Sequence, residues 1–269
     1  MPRQWANASL ITSKANRPPL VDFARASKIS ANIFNFPIDK LKNLCYNLFI
    51  KWKEPNKMKK YIVFDSETTN SIDDPFCYDI GFVVIDETGK VYETHSYVVA
   101  DVFLDSELMA SAYFADKIPQ YWEDIKTGKR QLRRLKTIRS ILRDVMTQHN
   151  ANMVCAYNCA FDVRSGNYTQ RYLTSSKYRY FYPYGTQFMD ILKLAREVLK
   201  TDENYKAFCK DNGYVTEKGQ NRYTAEIVYR YLFDKDFVEE HTGLADCLIE
   251  AQIMVKLMGE YPNVDFRLW

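Results

Sequence analysis

The chain has 269 residues, 46% of them hydrophobic and 15% aromatic, with 37 Lys and Arg against 34 Asp and Glu, which predicts one large globular domain with an appendage. No run approaches the roughly 18 apolar residues a membrane span needs. The six cysteines, at 45, 77, 155, 159, 209 and 247, show no CxxC pair and no disulfide-like spacing, so free thiols in a reducing compartment, in a soluble intracellular (cytoplasmic) protein, are expected rather than a zinc site or a disulfide framework.

The net charge of +3 hides an asymmetry: residues 1–57 carry 10 Lys/Arg against 3 Asp/Glu, and the remaining residues 27 against 31. Residues 1–30, with Pro18-Pro19 and no periodicity, predict little structure. From Ile38, apolar residues at 38, 41, 44, 48 and 52 predict a short amphipathic helix. A targeting peptide or a nucleic-acid-binding arm would suit the basic charge, but no small-residue cleavage site or long apolar core marks a signal. Met58 falls just before the first predicted strand, so residues 1–57 read as an extension upstream of a native start at Met58, and 58–269 as the domain. The alternative is a helix packed on the domain through Leu41, Leu44 and Leu48.

Tyr61 to Phe64 read as a buried strand ending at two carboxylates, Asp65 and Glu67. Side chains alternate along a strand, so both acids point the same way, about 6–7 Å apart. Two such acids beside a buried strand are costly unless a cation holds them. Residues 80–85 and 91–99 predict two more strands joined by a turn at Glu87-Thr-Gly-Lys90, making an antiparallel meander. Helical stretches follow around Pro119, then Leu132, Leu135, Ile138, Leu142 and Val145 recur at helical spacing. Residues 153–157 predict a fourth, apolar strand, with helices at about 162–172, 190–200, 224–233 and 243–258. This order predicts an α/β domain with a mixed sheet.

Two further motifs carry acids. Asp162, in Asn158-Cys-Ala-Phe161-Asp162, stands where the fourth strand passes into a helix, and by itself reads as a helix cap. His241 and Asp246, five apart, would face different ways on one continuous helix. If Thr242 caps the helix, His241 lies in the preceding loop and both address one point. Four carboxylates without a Cys/His cluster suit Mg²⁺ or Mn²⁺ rather than zinc. Two such ions stabilise the attacking and leaving oxygens of a phosphoryl displacement, and a histidine titrating near neutrality supplies the base.

Asp65-x-Glu67, Asn158-x-x-Phe161-Asp162 and His241-x-x-x-x-Asp246, in this order, resemble the three motifs of the DnaQ-like (DEDDh) 3′–5′ exonucleases, over about residues 58–260. The resemblance implies an RNase H-like fold, with a mixed central sheet flanked by helices. It implies metal ligation by Asp65, Glu67 and Asp246, with Asp65 bridging two Mg²⁺ or Mn²⁺ ions, Asp162 acting through a metal-bound water, and His241 as general base. Thr68, Thr69, Asn158 and Phe161 are expected to bind substrate. The implied activity is removal of nucleoside 5′-monophosphates from a 3′ end. Tyr157 stands where the family often has His, Gly243 where it often has Ala, and Asn70-Ser71 where many members have Gly-Leu.

Eight Lys/Arg between 126 and 143, without an acid among them, read equally as a phosphate-tracking helix or a solvated face. Tyrosines interleaved with basic residues over 164–184 suit stacking on single strands, although at least half of them read as core. Asp190 reads as a helix cap, and His95 and His149 have no assigned role. The leading expectation is therefore a 3′–5′ exonuclease on single-stranded DNA ends, with a polymerase or replication partner if it proofreads. An RNA-trimming exonuclease or oligoribonuclease and a non-catalytic nucleic-acid-binding or polymerase-binding module are the alternatives.

Overall fold

The computed structural model describes residues 58–69, 74–177 and 179–260. The expectations for residues 1–57, for Asn70-Ser71 and for Tyr178 lie outside the described residues.

The elements in chain order are β1 (Lys60–Thr69), β2 (Phe76–Asp86), β3 (Val91–Val99), α1 (Ala100–Phe103), α2 (Ser106–Met109) and α3 (Ile118–Thr127). They continue as β4 (Gln131–Arg133), α4 (Leu135–His149), β5 (Met153–Ala156), α5 (Cys159–Tyr172), β6 (Gln187–Asp190), α6 (Ile191–Leu199), α7 (Glu203–Asp211), α8 (Ala225–Leu232) and α9 (Gly243–Glu260). The six strands form one sheet in the order β4-β3-β2-β1-β5-β6. The pairs β1/β2 and β2/β3 are antiparallel, whereas β1/β5, β5/β6 and β3/β4 are parallel. A three-strand meander continued by parallel strands, with helices on both faces, is the expected RNase H-like α/β fold.

The expected meander and helices are present, with three differences. Leu132, assigned to a helix by its spacing, lies in β4, because the periodicity that starts at Leu135 overlaps a short strand pairing with Tyr97 to Val99. The strand β6 and the helix α7 were not expected: β6 has only four residues, and α7 buries only Tyr205 and Cys209, too few apolar positions to show a period. Asp190 does cap α6, accepting from the backbone N–H groups of Leu192 (3.0 Å) and Lys193 (3.3 Å).

Alternation along β1 splits the core in two. Ile62 and Phe64 face a cluster completed by Ile138 and Leu142 of α4 and by Phe181. Tyr61 and Val63 face the opposite cluster, built from α6 to α9 with Leu194, Val228, Ile253 and Leu257. Asp65 and Glu67 continue the second row toward α9, and Ser66 continues the first toward α5. A register shift between Glu67 and Thr68 breaks the β1/β2 pairing just past the acids; such bulges re-aim side chains beside functional sites.

Two glycines bring α9 onto the sheet. A Cβ added at Gly81 of β2 would lie 2.2 Å from the carbonyl carbon of Gly243. One added at Gly243 would lie 2.7 Å from the Gly81 nitrogen and 3.2 Å from the Asp65 carbonyl oxygen. Gly81 pairs with Asp65 across β1/β2, so the first turn of α9 rests on the backbone that carries the acids. An Ala has no room at position 243 unless α9 lifts. Gly81→Ala is therefore expected to destabilise by about 3 kcal/mol, the upper end for overpacking, and to lower Tm by ~6–12 °C. Scanning calorimetry checks this, and an unchanged Tm would show that the contact relaxes freely.

Candidate active site

β1 ends at the edge of the sheet, and acids reach that edge from both helical layers. Asp65, Glu67 and Asp246 offer oxygen atoms that all lie within 4.8 Å of one another. Asp246 sits in the first turn of α9 and is 5% exposed; Glu67 is 8% exposed. Asp162 arrives on the other side, in the first turn of α5, where its Oδ1 accepts a hydrogen bond from Ser66 Oγ at 2.9 Å. It does not cap α5, because its side chain is turned to β1. All four acids and His241 line one cavity of about 560 Å³, together with Asn158 and Phe161. Asn158 enters α5 in the left-handed region (φ 64°), and its carbonyl accepts from the Phe161 N–H at 2.8 Å. Thr68 and Thr69 are buried at the end of β1 and do not line the cavity; the Thr68 carbonyl accepts from the Tyr113 N–H and Thr69 bridges to Ala112.

His241 lies in the loop before α9, also left-handed (φ 52°), so it escapes the helical rotation that would turn it from Asp246. Thr242 does not achieve this by side-chain capping: its buried Oγ1 has no partner, although its carbonyl accepts the Asp246 N–H at 3.0 Å. The Gly243 N–H is instead taken by Asp79 Oδ2 of β2, at 3.0 Å. That oxygen also accepts from Tyr121 Oη and Arg130 Nη1, both at 2.8 Å. Arg130, 4% exposed, donates in addition to Asp124 Oδ2 at 2.8 Å. This member of the basic stretch is therefore a buried structural ion. The imidazole of His241 stacks on Phe114, with centroids 4.4 Å apart and planes at 12°. Its Nδ1 is 3.8 Å from Glu239 Oε2, and Glu239, His241 and Asp246 form a second convergent triad.

Glu239 and Glu250 were not singled out from the sequence. Glu250 is buried and accepts the Tyr157 N–H at 3.2 Å. Its signal was its spacing: four residues after Asp246, it shares that helix face. Asp79 was not singled out either; it lies in the first half of β2, ahead of the apolar run 80–85 by which that strand was read.

Crowding sets the electrostatics. Burial, then Glu250, Asp162, Glu67 and Asp246 push Asp65 well above the usual carboxylate range. Burial, then Asp246 and Asp79, raise Glu67 to about 9. Burial, then Glu239, raise Asp246 to about 8, and Asp162 is raised by burial to about 7 against the opposing hydrogen bond from Ser66. Asp246 Oδ1 is buried without a partner. Convergent carboxylates with an orphaned buried oxygen fit a hard divalent cation, which would favour their charged forms.

These carboxyls have folded values above their unfolded ones. Their contribution to stability is complete below the unfolded carboxylate range and is lost as pH rises through about 7 to 9. In EDTA the Tm is expected to fall from pH 6 to pH 9, and in Mn²⁺ to hold, so that the metal-induced shift grows with pH. Differential scanning fluorimetry at both pH values measures it. A shift independent of pH would mean that the cation binds elsewhere.

Fold and cavity together define the class of the molecule: an RNase H-like α/β protein with a carboxylate-lined cavity where its first strand ends. No family model matches the sequence, and no curated protein is similar to it in sequence. Several solved structures of exonuclease I are similar to the chain. They include E. coli Exonuclease I in complex with a 5cy-dT13 oligonucleotide (11% identity, 76% of this chain and 41% of that chain, TM-score 0.49). The zinc-bound form of the E. coli ExoI–ssDNA complex is similar at 14% identity, 77% and 42% coverage and TM-score 0.47. Exonuclease I from Methylocaldum szegediense is similar at 12% identity, 76% and 41% coverage and TM-score 0.48. The chain spans about two fifths of the length of these exonuclease I chains. Among the described residues no helix is long and apolar enough to cross a membrane.

Proposed function

We propose that the protein is a metal-dependent 3′–5′ exonuclease that hydrolyses the terminal phosphodiester bond of single-stranded DNA, releasing nucleoside 5′-monophosphates. The observation that carries this reading is the convergence of Asp65, Glu67 and Asp246 within 4.8 Å beside His241 in one cavity. Bound there, two Mg²⁺ or Mn²⁺ ions would supply Lewis-acid stabilisation of the attacking and leaving oxygens.

The chain's own residues do the rest. Asp65, Glu67 and Asp246 hold the cations, and Asp162, oriented by Ser66, completes the anionic shell from the α5 side. Burial lowers the His241 pKa, so the imidazole is neutral near pH 7 and can accept the proton of the attacking water. Nδ1 faces Glu239, which leaves Nε2 as the accepting atom. With its side chain 39% exposed, His241 can pass that proton to solvent. Asn158 and Phe161 line the cavity where the terminal nucleoside would rest.

The test is a time course on a 5′-labelled single-stranded DNA oligomer and its RNA twin, in Mg²⁺, Mn²⁺ and EDTA. A ladder shortening stepwise from the 3′ end, silent in EDTA, is the expected result. Faster loss of the RNA would reassign the substrate. Bound but uncleaved strands would leave a binding module.

A further inference from the structure

The acids account for only part of the cavity. Arg196 of α6 and Gln220, Asn221 and Arg222 of the segment 213–224 also line it. That segment is a built hairpin. Val215 and Asn221 pair as an antiparallel bridge, and the Thr216 N–H donates to the Gln220 carbonyl at 2.8 Å. Gly219 takes φ 73° at the turn. Two tyrosine hydroxyls fix it to the body of the fold: Tyr205 donates to the Arg222 carbonyl and Tyr157 to the Tyr223 carbonyl, each at 2.6 Å. The Arg222 N–H donates to the Tyr214 carbonyl at 2.9 Å. The backbone carrying Arg222 is thus pinned from both sides. Its guanidinium, like that of Arg196, is exposed and has no hydrogen-bond or ion-pair partner among the described residues.

A polyanion entering a cavity lined by clustered acids is repelled unless cations sit along its path. Guanidinium is the side chain whose planar fork matches phosphate oxygens. We infer that Arg196 and Arg222 hold the phosphates 5′ to the scissile one, so that the cavity selects an oligonucleotide chain over an isolated terminal phosphodiester. The inference rests on the hydrolytic reading above. It also accounts for Tyr157, whose hydroxyl anchors the hairpin where the exonuclease motif often has His.

Two readouts separate the inference from that reading. The first is anisotropy of a labelled single-stranded DNA oligomer in Ca²⁺, with wild type, Arg196→Ala and Arg222→Ala. Each variant is expected to bind about tenfold more weakly, and each to reduce the slope of log K against log salt by about 0.7, one phosphate's share on a single strand. Neutral methylphosphonate placed in turn at the two linkages 5′ to the last should weaken wild type to a similar extent and at least one variant no further. The second readout is hydrolysis of thymidine 5′-monophosphate p-nitrophenyl ester, which has no upstream phosphate; the variants should retain it within about twofold. Undiminished oligonucleotide binding, an unchanged salt slope, or equal losses on the ester and the oligomer would overturn the inference. Wild-type binding without hydrolysis of either substrate would overturn the hydrolytic reading instead, with the binding arm still deciding the role of the arginines.

Discussion

Asp65→Asn is expected to lower kcat by a thousandfold or more while raising the melting temperature of the metal-free protein. The two effects share one cause. Asp65 stands where the influence of Glu250, Asp162, Glu67 and Asp246 converges, and the amide keeps its shape without its charge. Losing a metal ligand removes several kcal/mol of transition-state stabilisation, and about 4 kcal/mol corresponds to a thousandfold. In EDTA the same change relieves repulsion among buried acids, and each kcal/mol gained raises Tm by roughly 2–4 °C for a domain of this size. Single-turnover kinetics in Mg²⁺ and scanning fluorimetry in EDTA measure the pair. A variant that loses activity and also melts lower would mark Asp65 as a folding residue, and one retaining a tenth of wild-type activity would remove it from the centre.

The second large effect is at His241, where the choice of replacement matters. The residue holds φ 52°, a region that disfavours Ala and that Asn tolerates. His241→Asn therefore removes the base while keeping the loop, and kcat should fall by about 10²–10⁴ with KM nearly unchanged. Raising pH should rescue the variant partly, because hydroxide then substitutes for a deprotonated water. Phe114→Ala, which removes the ring stacked on the imidazole, should give a smaller loss of about tenfold, with Phe114→Tyr near wild type. Steady-state kinetics from pH 6 to pH 9 distinguishes these variants. A His241→Asn enzyme within threefold of wild type would mean that another group takes the proton.

The sequence alone determined that two acids share one face of the first strand. Asp65 and Glu67 lie one residue apart on an apolar strand, and the two-residue period of a strand sends both to one face whatever the rest of the chain does. The meander and most of the helices were legible for the same reason: local periodicity is written in adjacent residues. Strand β6, helix α7 and the hairpin over 213–224 were not legible, because short or polar segments carry no period and take their shape from what they pack on.

Only the tertiary structure decided how the remaining groups reach the acids. Asp79 holds the start of α9 from a strand 164 residues away in sequence, and Gly81 and Gly243 let that helix touch the sheet. Arg130, indistinguishable in sequence from its basic neighbours, is buried against two aspartates. Glu239 and Glu250 join the cavity because α9 and the loop before it are placed there. These are contacts between elements distant in the chain, whose energies depend on burial and close approach, quantities no local pattern of residues contains.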